Sequence, residues 1–180
     1  LEFDDMVAKV GGDFEHLYSG SPFQFNVNEA IIVPVMRPEH KLFKVIQFVK
    51  QNEVLSEILF NSYLKGTYSE ALSKMDGLQG LIINQRTSFD VMTNFFKPES
   101  ECFSNEGVLR REKFYKNWDI MIEYWFYNSD YFFSSRFNKN LLSFTKKFEE
   151  KYFKSSFYKE VDETIAVIPK RGIPPDYYFR

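Results

Sequence analysis

Apolar side chains recur every three or four residues over long stretches of this chain. The first stretch lies between Pro38 and Gly66, and its spacing predicts one long helix or two abutting helices. Its apolar positions are Leu42, Val45, Ile46, Val49, Leu55, Ile58, Leu59 and Tyr63. The same period predicts further helices over 78–96, 114–125 and 141–152.

Capping and breaking signals add shorter helices to this series. Thr67 and Glu70 have the spacing of a capping box, so a short helix is expected from Thr67 to about Met75, where Asp76 and Gly77 break it. The polar run 128–130 predicts that one element stops and another starts there. A last short helix is expected over 155–161.

Strand spacing is confined to the N-terminal part of the chain. Apolar and polar residues alternate over 23–28, which predicts a strand. The run 31–35 is rich in β-branched residues, and because Pro34 cannot donate to a ladder, this run is expected to be an edge strand or an extended segment. A small hairpin turning near 28–29 is predicted between the two runs.

These elements predict a mainly α fold, a single-domain helical bundle with a small extended or β-hairpin element near the N-terminus. The length of 180 residues fits one domain. We expect an extended N-terminal segment over 1–37, a helical core over 38–168 and a proline-rich aromatic arm over 169–180.

The aromatic content gives an indication of function as well as of fold. The chain holds 21 Phe, 11 Tyr and 2 Trp, and the stretch EYWFYNSDYFF has seven rings in residues 123–133. Because these rings and those of the C-terminal arm exceed what the predicted helical stripes need, we interpret the excess as a partner-binding surface. The predicted surface comprises Tyr124, Tyr127, Tyr131, Phe132, Tyr177, Tyr178 and Phe179.

The arm itself carries a separate expectation. Pro174 and Pro175 favour an extended chain, which lowers the entropy lost when the three rings after them dock. The arm is expected to dock either on the domain's own helices or on a partner.

Charge and cysteine content exclude some classes of protein. The formal net charge of -2 argues against a dedicated binder of duplex nucleic acid. Cys102 is the single cysteine, so no intramolecular disulfide can form, and a reducing, cytoplasmic location is the simpler expectation. No apolar run approaches the length of a membrane span.

The chain shows no motif with catalytic, metal-binding or cofactor-binding spacing. The two histidines, His16 and His40, lie far apart, and Asp13 with His16 forms only an isolated D-x-x-H unit. Cys102 adjoins Glu101, and a nearby carboxylate disfavours the thiolate. We therefore predict no catalytic residue, no bound metal and no cofactor.

Two classes of function stay open at this point. The first is a non-enzymatic module that occludes or neutralises a partner protein, in the manner of a bacterial toxin-immunity protein, with its oligomeric state unspecified. The alternative is an enzyme, or a module for single-stranded nucleic acid, whose site is assembled from scattered residues. The residues available to such a site are His16, His40, Asp13, Arg110 and Arg111, together with lysines interleaved with rings.

Overall fold

Five strands form a single antiparallel sheet in the order β1-β3-β4-β2-β5. The structure is a computed structural model and describes residues 26–36, 41–88 and 96–163. The strands are β1 (Val27–Val33), β2 (Phe43–Gln51), β3 (Leu78–Arg86), β4 (Ile120–Phe126) and β5 (Phe153–Val161). Strand β2 lies between β4 and β5 and pairs antiparallel with both.

The helices lie between the strands along the chain. They are α1 (Glu57–Tyr63), a π-helical turn (Leu64–Tyr68), α2 (Ser69–Leu72), a 3₁₀ turn (Glu101–Phe103), α3 (Asn105–Tyr115), α4 (Ser129–Ser135) and α5 (Lys139–Tyr152). Within the described ranges, no helix combines the length and the apolar character that crossing a bilayer requires.

The prediction of a mainly α bundle is wrong, because the chain folds as an α/β protein with a large antiparallel sheet. Four of the five strands lie in the span predicted as helical core, over 38–168. In β2, Val45 and Val49 are buried on one face while Ile46 and Phe48 are half-buried on the other. A strand with two covered faces shows no clean alternation, so its apolar residues also match the spacing of a helix.

The same effect explains the errors at β4 and β5. Ile120, Ile122 and Tyr124 alternate toward the core, yet Trp125 on the opposite face is also buried. The predicted stripe over 114–125 therefore combined the end of α3 with most of β4. The expected short helix over 155–161 is instead most of β5.

Other local predictions agree with the structure. The predicted helix over 141–152 lies within α5, and the chain breaks at Gly77, which has a φ of 72°. Strand β1 lies at an edge of the sheet, as Pro34 directly after it indicates. The hairpin turn predicted near 28–29 is absent, since these residues lie inside β1.

Helix α1 starts at a cap that differs from the predicted one. The side chain of Ser56 accepts a hydrogen bond from the backbone N–H of Leu59. Thr67 lies instead within the π-helical turn, where its hydroxyl donates to the carbonyl of Tyr63. The predicted capping box at Thr67 is therefore not a helix start.

The main core fills the space between one face of the sheet and the helices. Phe60, Leu64, Tyr68 and Leu72, spaced by four residues, are all fully buried along α1, the π-helical turn and α2. The ring of Tyr68 stacks on Phe148 of α5, with 4.5 Å between ring centroids. The sheet contributes Val49, Leu81, Ile83, Ile120, Ile122, Tyr124 and Phe126.

The second face of the sheet carries charges that are nearly removed from water. The ammonium of Lys44 lies 2.7 Å from a carboxylate oxygen of Glu123, and the buried amide of Asn84 donates to Glu123 at 2.7 Å. The indole N–H of Trp125 donates to Glu163 at 3.2 Å. These partners allow polar groups to occupy strand positions that would otherwise be apolar.

By its contacts, the chain divides into two compact units. Among the described residues, one unit comprises 26–28, 85–88 and 96–119, and it contains an ion pair of 3.2 Å between Arg86 and Asp119. The other comprises the remaining described residues and contains the main core. The single-domain boundaries expected from the sequence stay a prediction.

We expect the substitution Phe126→Ala to lower the free energy of unfolding by about 3–5 kcal/mol, because the ring is fully buried and leaves a cavity. Urea denaturation followed by circular dichroism measures the loss. Ile58→Ala on α1 is the control, since Ile58 is 81% exposed and should change stability by less than about 0.5 kcal/mol. A similar small loss for both variants would contradict the packing described here.

Candidate functional site

Helix α4 begins directly after the core strand β4. Asn128 has an extended backbone, and its side-chain oxygen accepts hydrogen bonds from the N–H groups of Asp130 and Tyr131, at 3.0 and 3.3 Å. This cap satisfies two N–H groups of the first turn. The polar run 128–130 was predicted to stop one element and start another, and it does so here.

Phe132 fixes α4 on the sheet. Its ring centroid lies 5.7 Å from that of Phe126, 5.7 Å from that of Tyr158 and 6.0 Å from that of Phe43. These edge-on and tilted arrangements are favourable for aromatic pairs. The contacts orient the helix so that Phe132 points toward the core.

The neighbouring rings of α4 remain exposed to solvent. Tyr131 and Phe133 lie about 100° to either side of Phe132 around the helix, so they flank the inward-facing ring. Tyr127 lies beside Tyr131, with 6.2 Å between centroids, and Phe137 is four residues beyond Phe133. The exposed fractions of Tyr127, Tyr131, Phe133 and Phe137 are 42%, 40%, 55% and 78%. We call these four residues the α4 aromatic surface.

A tight turn supports one side of this surface. Gly77 adopts a positive φ of 72°, and its carbonyl accepts a hydrogen bond of 3.1 Å from the N–H of Tyr127. A Cβ atom at Gly77 would overlap with the ring of Tyr131. Glycine is therefore required here for both the backbone conformation and the close approach of the ring.

A groove of about 470 Å³ lies between α2 and the first turns of α5. Its apolar residues are Ala71, Leu141 and Phe144, and the last of these is itself substantially exposed. Its polar residues are Thr67, Glu70, Lys74, Asn138 and Asn140. The volume is in the range of sites that receive a small ligand or a large side chain. Phe137 of the α4 aromatic surface immediately precedes the groove residue Asn138.

Polar side chains form a connected cluster in the core between the sheet and the helices. Tyr124 donates a hydrogen bond of 2.7 Å to Gln47, and Tyr68 donates one of 2.8 Å to Glu149. The guanidinium of Arg136 lies 3.7 Å from Glu149 and 4.9 Å from the ring centroid of Tyr158. The side-chain nitrogen of Gln47 and the hydroxyl of Tyr158 are buried without a hydrogen-bond partner among the described residues.

Burial holds the three tyrosines of this cluster in the protonated form. It is the main cause that raises the pKa of Tyr68 and of Tyr124 well above the ordinary value of 10.0. Burial also raises the pKa of Tyr158, and the negative charge of Glu149 raises it further. Because these phenols stay neutral, the cluster offers a hydrogen-bonded network and no tyrosinate base near neutral pH.

The residues predicted to bind a partner differ in their exposure to solvent. Tyr127 and Tyr131 are exposed, whereas Tyr124 is a core residue at 1% exposure and Phe132 is the half-buried ring that fixes α4. Tyr177, Tyr178 and Phe179 lie outside the described residues, as does the whole arm over 169–180. Sequence reasoning missed Phe133 and Phe137, which are four residues apart and both exposed.

Of the residues named for an assembled catalytic site, the structure describes Arg110 and Arg111. Arg110 forms an ion pair with Glu101. Arg111 is buried, and its guanidinium lies 5.6 Å from the ring centroid of Phe103. Asp13, His16 and His40 lie outside the described residues. In the ranges that the structure describes, no group of three or more His, Cys, Asp or Glu side chains is arranged to hold a metal ion.

In the lysine-aromatic segment around α5, two of the rings lie in the core, whereas Phe157 is 43% exposed. Phe148 and Phe153 are buried in the main core, whereas Lys146 and Lys147 are exposed. Rings in the core are not accessible for stacking on bases.

Comparison with known proteins finds no family model that matches the chain and no curated protein that matches its sequence.

The contact between Gly77 and Tyr131 can be tested by a double-mutant cycle. Gly77→Ala should destabilise the protein by about 1–2 kcal/mol from the left-handed backbone alone, with an added loss from displacing the ring. In a Tyr131→Ala background the overlap with the ring is removed and only the close contact with the Cβ atom of residue 131, at 2.7 Å, adds to the backbone cost, so the loss should be smaller. Equal losses in both backgrounds, measured by urea denaturation, would show that Tyr131 does not lie on Gly77.

The raised pKa values of Tyr68, Tyr124 and Tyr158 make stability fall in alkali. Below pH 10 all three tyrosines are protonated in the folded and the unfolded chain, so they add no pH dependence to the free energy of unfolding. Above pH 10 the unfolded chain releases protons that the folded chain retains, so the free energy of unfolding decreases as the pH rises.

Denaturation midpoints across this range, with tyrosinate absorbance recorded in parallel, measure the effect. Tyr158→Phe should reduce the slope by up to about 1.4 kcal/mol per pH unit. Complete tyrosine ionisation in a protein that is still folded would contradict the burial of the cluster.

Proposed function

We propose that this chain is a non-enzymatic protein-binding module whose α4 aromatic surface covers part of a partner protein. The observation that supports the proposal is a short helix that is fixed by one buried ring, Phe132, and exposes rings on both flanks. A cluster of exposed rings on a soluble unit is typical of an interaction site.

The residue types suit a protein partner. Aromatic rings are enriched in protein interfaces and carry a large share of the binding energy. Tyr127 and Tyr131 add hydroxyl groups that can exchange water for a hydrogen bond on the partner. Because Phe132 and the Asn128 cap already hold α4, little backbone freedom is lost when the surface is covered.

The groove supplies a place for a side chain of the partner. Its apolar residues Ala71, Leu141 and Phe144 can receive one large apolar side chain, while Asn138 and Asn140 can hydrogen-bond to the peptide that carries it. Since the groove begins next to Phe137, a partner that covers the exposed rings can reach it. The proposed binding site therefore comprises the α4 aromatic surface and the groove.

The effect of such binding is occlusion of the partner. In the polar cluster of the core, the titratable groups are the neutral phenols and the ion pair of Glu149 with Arg136, which we take as support for binding over catalysis. A cytoplasmic toxin that is held inactive is one partner of this class, and the buried single thiol of Cys102 is compatible with that compartment.

Site-specific photocrosslinking tests the proposal. A photoreactive phenylalanine analogue at Phe137 should yield a specific protein adduct in the cells that naturally express the chain. The same analogue at Ile58 is the matched control, because Ile58 is equally exposed but lies on α1.

The triple variant Tyr131→Ser, Phe133→Ser, Phe137→Ser should abolish capture of that partner and leave the circular dichroism spectrum unchanged, since these rings lie outside the core. Adducts that are identical from positions 137 and 58, or capture that survives the triple variant, would refute the proposed surface.

A further inference from the structure

A stripe of exposed side chains runs along the flank of α5 that borders the groove. Asn140, Phe144, Lys147 and Lys151 recur at helical spacing, so they fall within about 60° of one another around the helix. Asn140 and Phe144 line the groove, and the two lysines lie on the same flank about one and two turns further toward the C-terminus. The apolar groove is therefore continued by a positively charged part of α5.

The two lysines are like charges one helical turn apart, and we call them the α5 lysine pair. Neither Lys147 nor Lys151 has a carboxylate within ion-pair distance in the ranges that the structure describes. Their neighbour Lys146, in contrast, lies 3.7 Å from Glu150 in the arrangement that stabilises an exposed helix. Like charges at the same spacing destabilise a helix, so an anionic group bound between Lys147 and Lys151 would remove a repulsion.

We propose that the groove and the α5 lysine pair bind an acidic segment of the partner protein, in which carboxylates neighbour one large apolar side chain. This inference rests on the proposed function, because it names the chemistry of the segment that enters the groove. The apolar side chain packs between Ala71 and Phe144, and the carboxylates lie over Lys147 and Lys151.

The distances along α5 suit an extended segment. Along the helix axis, Lys147 lies roughly 4.5 Å and Lys151 roughly 10.5 Å beyond Phe144. An extended chain rises about 3.3 Å per residue. Carboxylates within about three residues of the apolar side chain can therefore reach both ammonium groups while that side chain stays in the groove.

Amide groups at the other end of the groove suit the backbone of such a segment. The side-chain oxygen of Asn138 accepts hydrogen bonds from the backbone N–H groups of Asn140 and Leu141, at 3.1 and 3.3 Å. The side-chain N–H groups of Asn138 are left to donate, and the amide of Asn140 also lines the groove. Because a peptide presents a carbonyl and an N–H at almost every residue, it can use both amides.

The opposite interpretation assigns the α5 lysine pair to helix stability alone. Lys151 lies in the last turn of α5, where a cation interacts favourably with the helix dipole. Lys147 lies outside that turn, and the dipole effect falls off within one turn. If stability were the only role of the pair, reversing its charge would change the free energy of unfolding and leave peptide binding unchanged.

Single-stranded nucleic acid also combines negative charge with large flat groups. Its charge recurs at every phosphate, however, whereas the groove contains the ion pair of Glu70 with Lys74, at 3.0 Å, and so offers no excess positive charge. A peptide can carry a neutral residue at that point and place its carboxylates only over the lysines. The distribution of charge therefore favours a protein segment.

Titration of the full chain with fluorescent peptides tests the proposal. The probe peptide has one phenylalanine with three acidic residues on each side. One matched peptide has alanine in place of the phenylalanine, and another has asparagine and glutamine in place of the acidic residues. The probe should bind, more weakly as salt is added, and each matched peptide should bind roughly tenfold more weakly, because it lacks either the apolar or the charge contact.

The double variant Lys147→Glu with Lys151→Glu should raise the dissociation constant of the probe roughly tenfold. The matched control is Lys154→Glu with Lys159→Glu, which makes the same change of net charge at exposed positions of β5 and should stay within about twofold of the wild type. Phe144→Ala should weaken binding of the probe but not of the alanine peptide, which has no large side chain for the groove. Circular dichroism verifies that every variant is folded.

Three results would each overturn the proposal: a probe that does not bind, a charge reversal no more harmful than its control, or tighter binding of an oligothymidylate of equal charge. Photocrosslinking at Phe137 separates these from a failure of the proposed function. A specific adduct without peptide binding refutes the acidic segment alone. Peptide binding without a specific adduct refutes the α4 aromatic surface and leaves the groove as a site for acidic peptides.

Discussion

The packing of Phe132 among Phe43, Phe126 and Tyr158 determines where α4 holds its exposed rings. Helix α4 has seven residues, and a helix of that length is not stable in water without tertiary contacts. Its conformation therefore depends on the one ring that enters the core. The exposed rings on its flanks have defined positions only because that contact exists.

The core into which Phe132 inserts is itself aromatic and contains polar groups. Flat rings cover a large area with few rotatable bonds, so they can fill the layer between sheet and helices at a modest entropic cost. The hydroxyl groups of Tyr68 and Tyr124 then have to be satisfied inside that layer, and they donate hydrogen bonds to Glu149 and Gln47, respectively. The polar cluster is thus a consequence of building the core from tyrosine, and it fixes the relative positions of β2, β4, the π-helical turn and α5.

The sequence correctly indicated those helices and strands that have one face exposed to solvent. Helix α5 shows its period because Phe148 is buried while Lys146 and Lys147 face solvent, and β1 could be assigned to an edge from Pro34. Strands β2 and β4 could not be recognised in this way. Their second faces carry Lys44, Glu123 and Trp125, whose burial depends on partners that come from other strands or from beyond β5. For the candidate site, Tyr127 and Tyr131 were predicted, but whether a ring such as Tyr124 points inward depends on strand register, which no local pattern specifies.

The π-helical turn shows how the length of the chain is matched to the sheet beneath it. Residues four apart on an α-helix drift by about 40° per step, so Phe60, Leu64, Tyr68 and Leu72 would turn progressively away from a flat surface. The wider turn at Leu64–Tyr68 rotates the helix back, and all four side chains remain fully buried. One additional residue in the helical turn thus corrects the drift of the apolar stripe, as supercoiling does in a long helical bundle. Tyr68 is the last residue of this turn, and its hydroxyl donates a hydrogen bond of 2.8 Å to Glu149.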